Sequence, residues 1–318
     1  MMESIFFSAF VLIITGIGLH YIVIPPVEKS IALQVLGVLG EEEDKHPRIY
    51  AHRGGGHDAP ENTLAAFRKA KDNGATGVEF DISLTKDGIA VLLHDDTVDR
   101  TTNGSGSIGD MTFHEVRELD ASKHHPQSSL YEGEKIPTLE EGVQECIKLN
   151  LRMIFDVKEY DEKALAAVLD IFEKYPELYK VAVVASFYPN FIYQLRSANP
   201  KIVCALTWRP NFISYDDIVN GQPRFRIPWK MNLGKVGDYF LDWSIHSWLW
   251  YVTGVSAVLI HKDCISQEYL RMWNSRNIQV IPWTVNHPTE KQHFLKILHT
   301  PIITDSVQVN FGNMEVFR

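Results

Sequence analysis

The sequence predicts an α/β chain closed into a (β/α)8 TIM barrel, with an N-terminal transmembrane helix and a tryptophan-rich insertion added to it. Three observations carry this reading. Short β-branched apolar runs alternate with amphipathic runs of three-to-four spacing, which is a βα rhythm. About eight such strands fall within roughly 270 residues, close to the ~250 typical of this barrel. A doubly wound sheet would advertise a glycine fingerprint at its first βα turn, and GGGHDAPEN at 54–62 is neither GxGxxG nor a P-loop.

Taken in order, the chain opens with Ile5–Ile24, about 20 mostly apolar residues whose one ionisable group is His20, enough to cross a hydrocarbon core of roughly 30 Å. Pro25 and Pro26 stop that helix. A cleaved signal peptide is the competing reading, but no basic region precedes the run and no small-x-small site stands before the prolines. Residues 1–25 are therefore expected to be a retained anchor, 26–47 with its EEED an acidic linker, and 48–318 the barrel domain. Strands are predicted at 48–52, 77–83, 89–94, 151–158, 180–187, 201–207, 255–261, 278–285 and 301–305. Helices are predicted at Asn62–Asn73, Thr138–Leu149, Asp161–Lys174, Pro189–Ser197, Ser266–Asn274 and His287–Leu298.

The connection Trp208–Gly254 is longer than a barrel needs. It holds Trp229, Trp243, Trp248 and Trp250, four of the seven tryptophans beyond its first residue. Hydropathy alone suggests a second span from Val236 to Ile260, but Asp238, Asp242 and His246 interrupt it and VSAVLIH is needed as a strand. Two readings remain, a helix lying at the membrane interface beside the mouth of the barrel and a packed insertion.

Composition narrows the function. With 318 residues and 45% hydrophobic content the chain can bury a large core. A net charge of -9 without a basic face argues against a nucleic-acid partner. Cys146, Cys204 and Cys264 lie too far apart for a zinc motif and are odd in number, so they suggest no disulfide framework.

In a barrel, chemistry gathers at the C-terminal ends of the strands. His52 and Arg53 stand at the first such end, Glu79 and Asp81 in the second strand, His94 with Asp95 and Asp96 at the third, and Asp156 and Lys158 at the end of MIFDVK. Glu79 and Asp81 are two residues apart and so share one face of a strand. Two adjacent carboxylates repel unless a cation compensates them. With Asp156 they form an all-oxygen set without thiolate, which suits a hard divalent cation, Mg²⁺ before Ca²⁺, rather than zinc. The competing reading makes them strand-end acids neutralised by lysines. His52 and His94 have the ordinary pKa for general acid and base work at neutral pH. Arg53 and Lys158 carry the charge to hold a phosphate, Arg53 through a bidentate fork. Gly54–Gly56 are expected to let the backbone approach phosphate and metal. His114, His124, His125, His287, His293 and His299 read as structural or solvated. Hard cation, two histidines and two cations imply phosphodiester cleavage.

At this point HRGGGHDAPENT, GVEFDISLTKDGIAVLLHDDTVDRTTNGSG, IPTLEE, FDVK, IQVIPWTVN and IITD, in that order across about residues 48 to 307, resemble the glycerophosphodiester phosphodiesterase family. With the N-terminal apolar run the chain looks most like the membrane-anchored animal members. The resemblance implies a TIM barrel, His52 and His94 as the catalytic pair, Arg53 and Lys158 as phosphate contacts, and Glu79, Asp81 and Asp156 as divalent-metal ligands. Many relatives carry Glu where this chain has Asp156. Glu61 is implied as a support of the site and Trp283 as its lining, with a helix-start acid and a buried tryptophan as the ordinary alternatives. The implied reaction hydrolyses glycerophosphodiesters, glycerophosphoinositol among them, to glycerol 3-phosphate and the head-group alcohol through attack of the glycerol 2-hydroxyl and a cyclic phosphate. His57 lies outside the family's catalytic positions. The sequon at Asn103 could carry a glycan if the domain is lumenal or extracellular, as the resemblance implies. Two alternatives stand beside this: lysophospholipase D action on lysophospholipids or glycerophospho-N-acylethanolamines, and a membrane scaffold with an inactive barrel.

Overall fold

The computed structural model describes residues 22–37, 48–218 and 221–308, so the predicted anchor lies, but for its last residues, outside the described part. Eight parallel strands run in the order β8-β7-β6-β5-β4-β2-β1-β9, each hydrogen-bonded to the next. They are β1 (Ile49–Ala51), β2 (Gly77–Leu84), β4 (Arg152–Val157), β5 (Ala182–Ser186), β6 (Cys204–Trp208), β7 (Ala257–His261), β8 (Gln279–Trp283) and β9 (Ile302–Thr304). The ends of the path meet where the Val285 N–H donates to the Ile303 carbonyl at 2.8 Å, which nearly closes the barrel.

Alternation of side chains along the strands separates two apolar compartments. Tyr50, Ile154, Val183, Ala185, Val203, Ala205, Leu259, Ile281 and Ile303 fill the barrel. Residues of the opposite parity, Val78, Phe80, Ile82, Met153, Phe155, Val184, Leu206 and Val258, pack outward. They meet helices α2 (Leu64–Asp72), α3 (Leu139–Lys148), α4 (Glu162–Lys174) and α5 (Pro189–Ala198). Thr63, Thr138 and Asp161 cap the first three of these with side-chain oxygens, so the helix starts follow from local sequence.

Two expectations change. The predicted strand 89–94 is β3 (Ala90–Leu92), but it pairs antiparallel with β2 and is not a stave of the barrel. Only residues 85–89 join it to β2, and a parallel crossover requires about a dozen. The segment predicted as a linker is in part structural: α1 (Lys29–Val35) brings the buried Val35 and Leu36 against the barrel interior. Arg152 donates to the Val35 carbonyl (2.8 Å), Arg48 to Gly37 (2.9 Å) and the Tyr50 hydroxyl to Leu36 (3.2 Å). Residues 38–47, including EEED, lie outside the described residues.

The tryptophan-rich segment becomes helix α6 (Pro228–Ser244), continued by a π turn at Ile245–Leu249 and a last α turn at Trp250–Thr253. Residues 236–260 are thus divided between that helix and the buried strand β7, and among the described residues no helix is long and apolar enough to cross a membrane. The fold closes with α7 (Gln267–Ser275) and α8 (Pro288–Gln292), the latter prolonged by a π turn.

Candidate active site

Strand β2 builds the centre. Its Val78, Phe80 and Ile82 pack under the helices, so Glu79 and Asp81 face the barrel interior. Asp156 lies directly across the β2–β4 ladder from Asp81. The three carboxylates are buried and offer oxygens within 4.8 Å of one another.

Such a cluster needs positive charge, and the chain supplies part of it. Lys158, one residue past β4, pairs with Asp81 at 2.9 Å and with Asp156. Burial opposes its charge, but Asp156 and Asp81 hold it protonated, with a raised pKa. Asp81 stays well below the usual carboxylate range because Lys158, His94 and Arg53 outweigh its burial. Glu79 is less well compensated: burial, then the Asp81 charge, push it up to about 7 against the pull of His52 and Lys158. Asp156 Oδ1 is buried with no hydrogen-bond donor. Buried hard oxygens short of donors, and a glutamate short of countercharge, fit a hard divalent cation held by Glu79, Asp81 and Asp156.

Two histidines flank the cluster, each with an aspartate on Nδ1. His52, just past β1, meets Asp305 at 2.5 Å and points Nε2 toward Glu79 at 3.9 Å. His94 meets Asp95 at 2.6 Å. Asp305 is itself held by Asn286, which donates through Nδ2 (2.6 Å) and accepts the Asp305 N–H (2.9 Å). The surroundings push the rings apart. Burial and Arg53 lower His52, but Glu79 and Asp305 outweigh them and its pKa is raised. His94 is lowered by burial, then by Lys158 and Arg53, against the pull of Asp81 and Asp95. The sequence places His94 at the end of a barrel strand, and in the structure it does not stand there. It follows the antiparallel arm β3 and is brought in because Leu93 N–H donates to the Asp81 carbonyl.

Arg53 joins the same mouth. Its N–H donates to Glu79 (2.9 Å), and its guanidinium pairs with Glu61 (2.9 Å) and lies 3.5 Å from Asp81. Glu61 also takes both terminal nitrogens of Arg100 at 2.7 Å, and Arg100 holds Asp95 at 2.6 Å. Glu61 is therefore a bridge between Arg53 and the His94–Asp95 pair. Asn62, predicted only to start a helix, clasps Asp81 by donating to Oδ2 (2.8 Å) and accepting its N–H (3.2 Å). It does so in a left-handed conformation (φ 56°) while Thr63 takes the cap.

Gly54 has a packing reason of its own. At φ +82° it is pressed against α2, where a Cβ would come within 2.8 Å of Ala66 and Phe67. His57 is exposed at the rim, 4.0 Å from Asp305. Trp283 lies edge-on to Phe187 (5.8 Å) and His261 (5.4 Å), and Phe187 stacks on Phe212 (4.6 Å) beside the Lys158 ammonium (5.8 Å). Trp283 is thus part of an aromatic wall at the mouth. Asn103 is exposed, with Oδ1 accepting the Asp120 N–H at 2.8 Å.

The fold and the site together define a barrel enzyme of the phosphoric diester hydrolase class. Residues 52–309 match the Glycerophosphoryl diester phosphodiesterase family, and the chain belongs to that family. It is 46% identical over 298 residues to mouse glycerophosphodiester phosphodiesterase 1, covering 93% of this chain and 88% of the mouse protein. The human protein of the same name is 46% identical over 282 residues, covering 89% and 83%. In fold the chain is similar to an Oleispira antarctica phosphodiesterase solved with the product sn-glycerol-3-phosphate, with a TM-score of 0.63 at 22% identity, over 83% of this chain and 95% of that one.

Proposed function

We infer that the chain hydrolyses glycerophosphodiesters to glycerol 3-phosphate and the head-group alcohol. The observation behind this is the buried Glu79–Asp81–Asp156 cluster flanked by two histidines that each carry an aspartate on Nδ1. Glycerophosphoinositol is the head-group ester we would test first. A divalent cation, Mg²⁺ before Ca²⁺, held by the three carboxylates, would supply Lewis-acid stabilisation of charge on phosphoryl oxygen. The chain's own residues do the rest. Arg53, fixed by Glu61, offers the guanidinium fork to a phosphoryl oxygen. Lys158 adds a point charge. His52 and His94 share the proton transfers, one accepting from the glycerol 2-hydroxyl as it attacks phosphorus and the other donating to the departing head-group oxygen; water then opens the resulting cyclic phosphate with the two roles reversed, giving glycerol 3-phosphate. Asp305 and Asp95 fix the imidazoles with Nε2 free for those transfers.

A second reading, cleavage of lyso-lipids that keep one acyl chain, has one observation in its favour: the Phe187–Phe212–Trp283 wall beside Lys158. The apolar run Ile5–Ile24 favours a chain anchored in a bilayer, with residues 48–318 as the catalytic unit, lumenal or extracellular, and the exposed Asn103 as its glycan site. Assaying the full chain with glycerophosphoinositol against a lysophospholipid, with Mg²⁺, Ca²⁺ or EDTA, separates these readings. Turnover that survives EDTA would sink the metal assignment, and no turnover of either ester would sink the catalytic one.

A further inference from the structure

Helix α6 is amphipathic in an uncommon way: its buried side is polar at the centre and its exposed side is apolar. Trp229, Leu233, Val236, Phe240 and Trp243 follow at intervals of four, three, four and three, so they share one stripe, and each is more than half exposed. The helix is about 25 Å long at 1.5 Å per residue, and the stripe runs along almost all of it. On the opposite side the buried Asp238 accepts from the Ile213 N–H at 2.6 Å and from the Ser214 N–H at 3.1 Å. That aspartate, together with Leu241 packed on the core, ties α6 to the body of the protein. Scattered exposed hydrophobes need no explanation, but five in one register along one helix mark a surface that something covers.

We propose that this face of α6 lies in the surface of a phospholipid bilayer. Two further observations select a bilayer over a protein partner. The apolar run of the sequence, Ile5–Ile24, joins the fold at the far end of this same helical rod: the Ile24 N–H donates to the Val252 carbonyl at 3.0 Å, and the Ile24 carbonyl lies so close to Gly254 that a Cβ there would come within 2.2 Å of it. A run of that length and apolarity belongs in hydrocarbon, so the stripe and the run are fastened at one rod. The border of the stripe agrees. Lys230 stands 5.7 Å over the Trp229 ring, and the acids of α6 are turned from the stripe, Asp238 inward and Asp242 onto His246 at 3.0 Å. Tryptophan and lysine beside aliphatic residues are the composition of an interfacial helix.

The docking stands apart from the catalytic reading, but it bears on it. Residues 209–218 follow the C-terminal end of β6 and carry Phe212 of the aromatic wall, and Ile213 and Ser214 among them are held by Asp238 of α6. A docked α6 therefore brings that wall close to the lipid surface.

The test uses the full chain in vesicles of phosphatidylcholine and phosphatidylserine, with an environment-sensitive fluorophore on Val236→Cys or, as control, on exposed Glu173→Cys of α4. The parent chain, with its own three cysteines, gives the labelling background. Spin-labelled lipid is expected to quench the probe at 236 and leave that at 173 unaffected. Leu233→Glu with Phe240→Glu, both on exposed positions, should abolish quenching at 236 without lowering the melting temperature. An unquenched probe at 236 would overturn the proposal. So would cross-linking of two Val236→Cys chains to each other in the vesicles, because a second copy would then cover the stripe.

Discussion

His52 Nδ1 and Asp305 Oδ1 stand 2.5 Å apart, although 253 residues separate them in sequence. The contact joins the first and last strands of the chain, β1 and β9, which are neighbours in the barrel, at the end where the site lies. It fixes the tautomer of the ring, since a carboxylate on Nδ1 keeps the proton there and leaves Nε2 facing Glu79. Asp305 lies well below the usual carboxylate range, because the His52 hydrogen bond and charge, with Asn286, outweigh its burial.

Asp305→Asn should therefore be a functional rather than a folding lesion. The carboxylate raises His52, so its loss lets burial and Arg53 lower that ring. The limb of the kcat/KM profile governed by His52 is expected to move to lower pH, and kcat to fall by roughly tenfold or more, short of the ~10²–10⁴ a positioned acid or base contributes. An unchanged pH profile with reduced stability would assign Asp305 a structural role only.

Glu79, Asp81 and Asp156 predict an ion-dependent melting temperature. Ligand bound only to the folded state raises stability by mass action, about 2.7 kcal/mol at a hundredfold excess over Kd. Mg²⁺ should raise the melting temperature of the full chain and EDTA should reverse it. Asp156→Asn removes one negative charge from the cluster, so it should melt no lower than wild type without Mg²⁺ yet lose most of the Mg²⁺ response and of the activity. A full Mg²⁺ response in Asp156→Asn would place the ion elsewhere.

Arg100 is predicted to act through His94. It spans Glu61 and Asp95, and Asp95 orients the His94 ring. Arg100→Gln keeps length and some donors but removes the charge that neutralises both acids. Its expected effect is a several-fold loss in kcat with a smaller change in KM, partly restored in Arg100→Lys. A loss confined to KM would mean that Arg100 contacts substrate instead.

What the sequence disclosed of this site followed from period. The alternation of GVEFDIS puts Glu79 and Asp81 on one face, and the packing of Val78, Phe80 and Ile82 under the helices turns that face to the barrel interior. Asp305 obeys the rule that singles out Asp156, an acid ending an apolar barrel strand, but IITD alone does not show that it meets His52. The antiparallel arm could be seen in the length of TKDGI at 85–89, which is too short for a crossover. Arg100 and Glu61, 39 residues apart, left no local trace, because their pairing depends on where two loops meet in space. The docking of α1 was hidden for a related reason: its short apolar pattern became meaningful only once the barrel presented an interior to receive Val35 and Leu36.

Arg196 predicts the largest effect on stability outside the site. It is fully buried on α5 with no acid beside it among the described residues, and its guanidinium donates instead to the carbonyls of Pro200, Ile202 (2.9 Å) and Pro25 (2.5 Å). A buried cation with carbonyl partners is costly to place and costlier to truncate, because removing it orphans three acceptors and leaves a cavity. Arg196→Ala should destabilise by roughly 2–5 kcal/mol, in the range of large-to-small core substitutions and lost buried hydrogen bonds. The Pro25 contact adds a local consequence. Residues 24–37 are held by Arg196, by Arg152 and by Lys29 on Asn277 (2.7 Å), so loss of the first should loosen that stretch before the barrel unfolds. Trypsin cleavage at Lys29 in the folded protein is then expected to rise in Arg196→Ala and to stay at the wild-type rate in an equally destabilised variant of the α3 face, such as Val143→Ala. Equal cleavage in the two variants would mean that Arg196 supports only the barrel and not the junction with the apolar run.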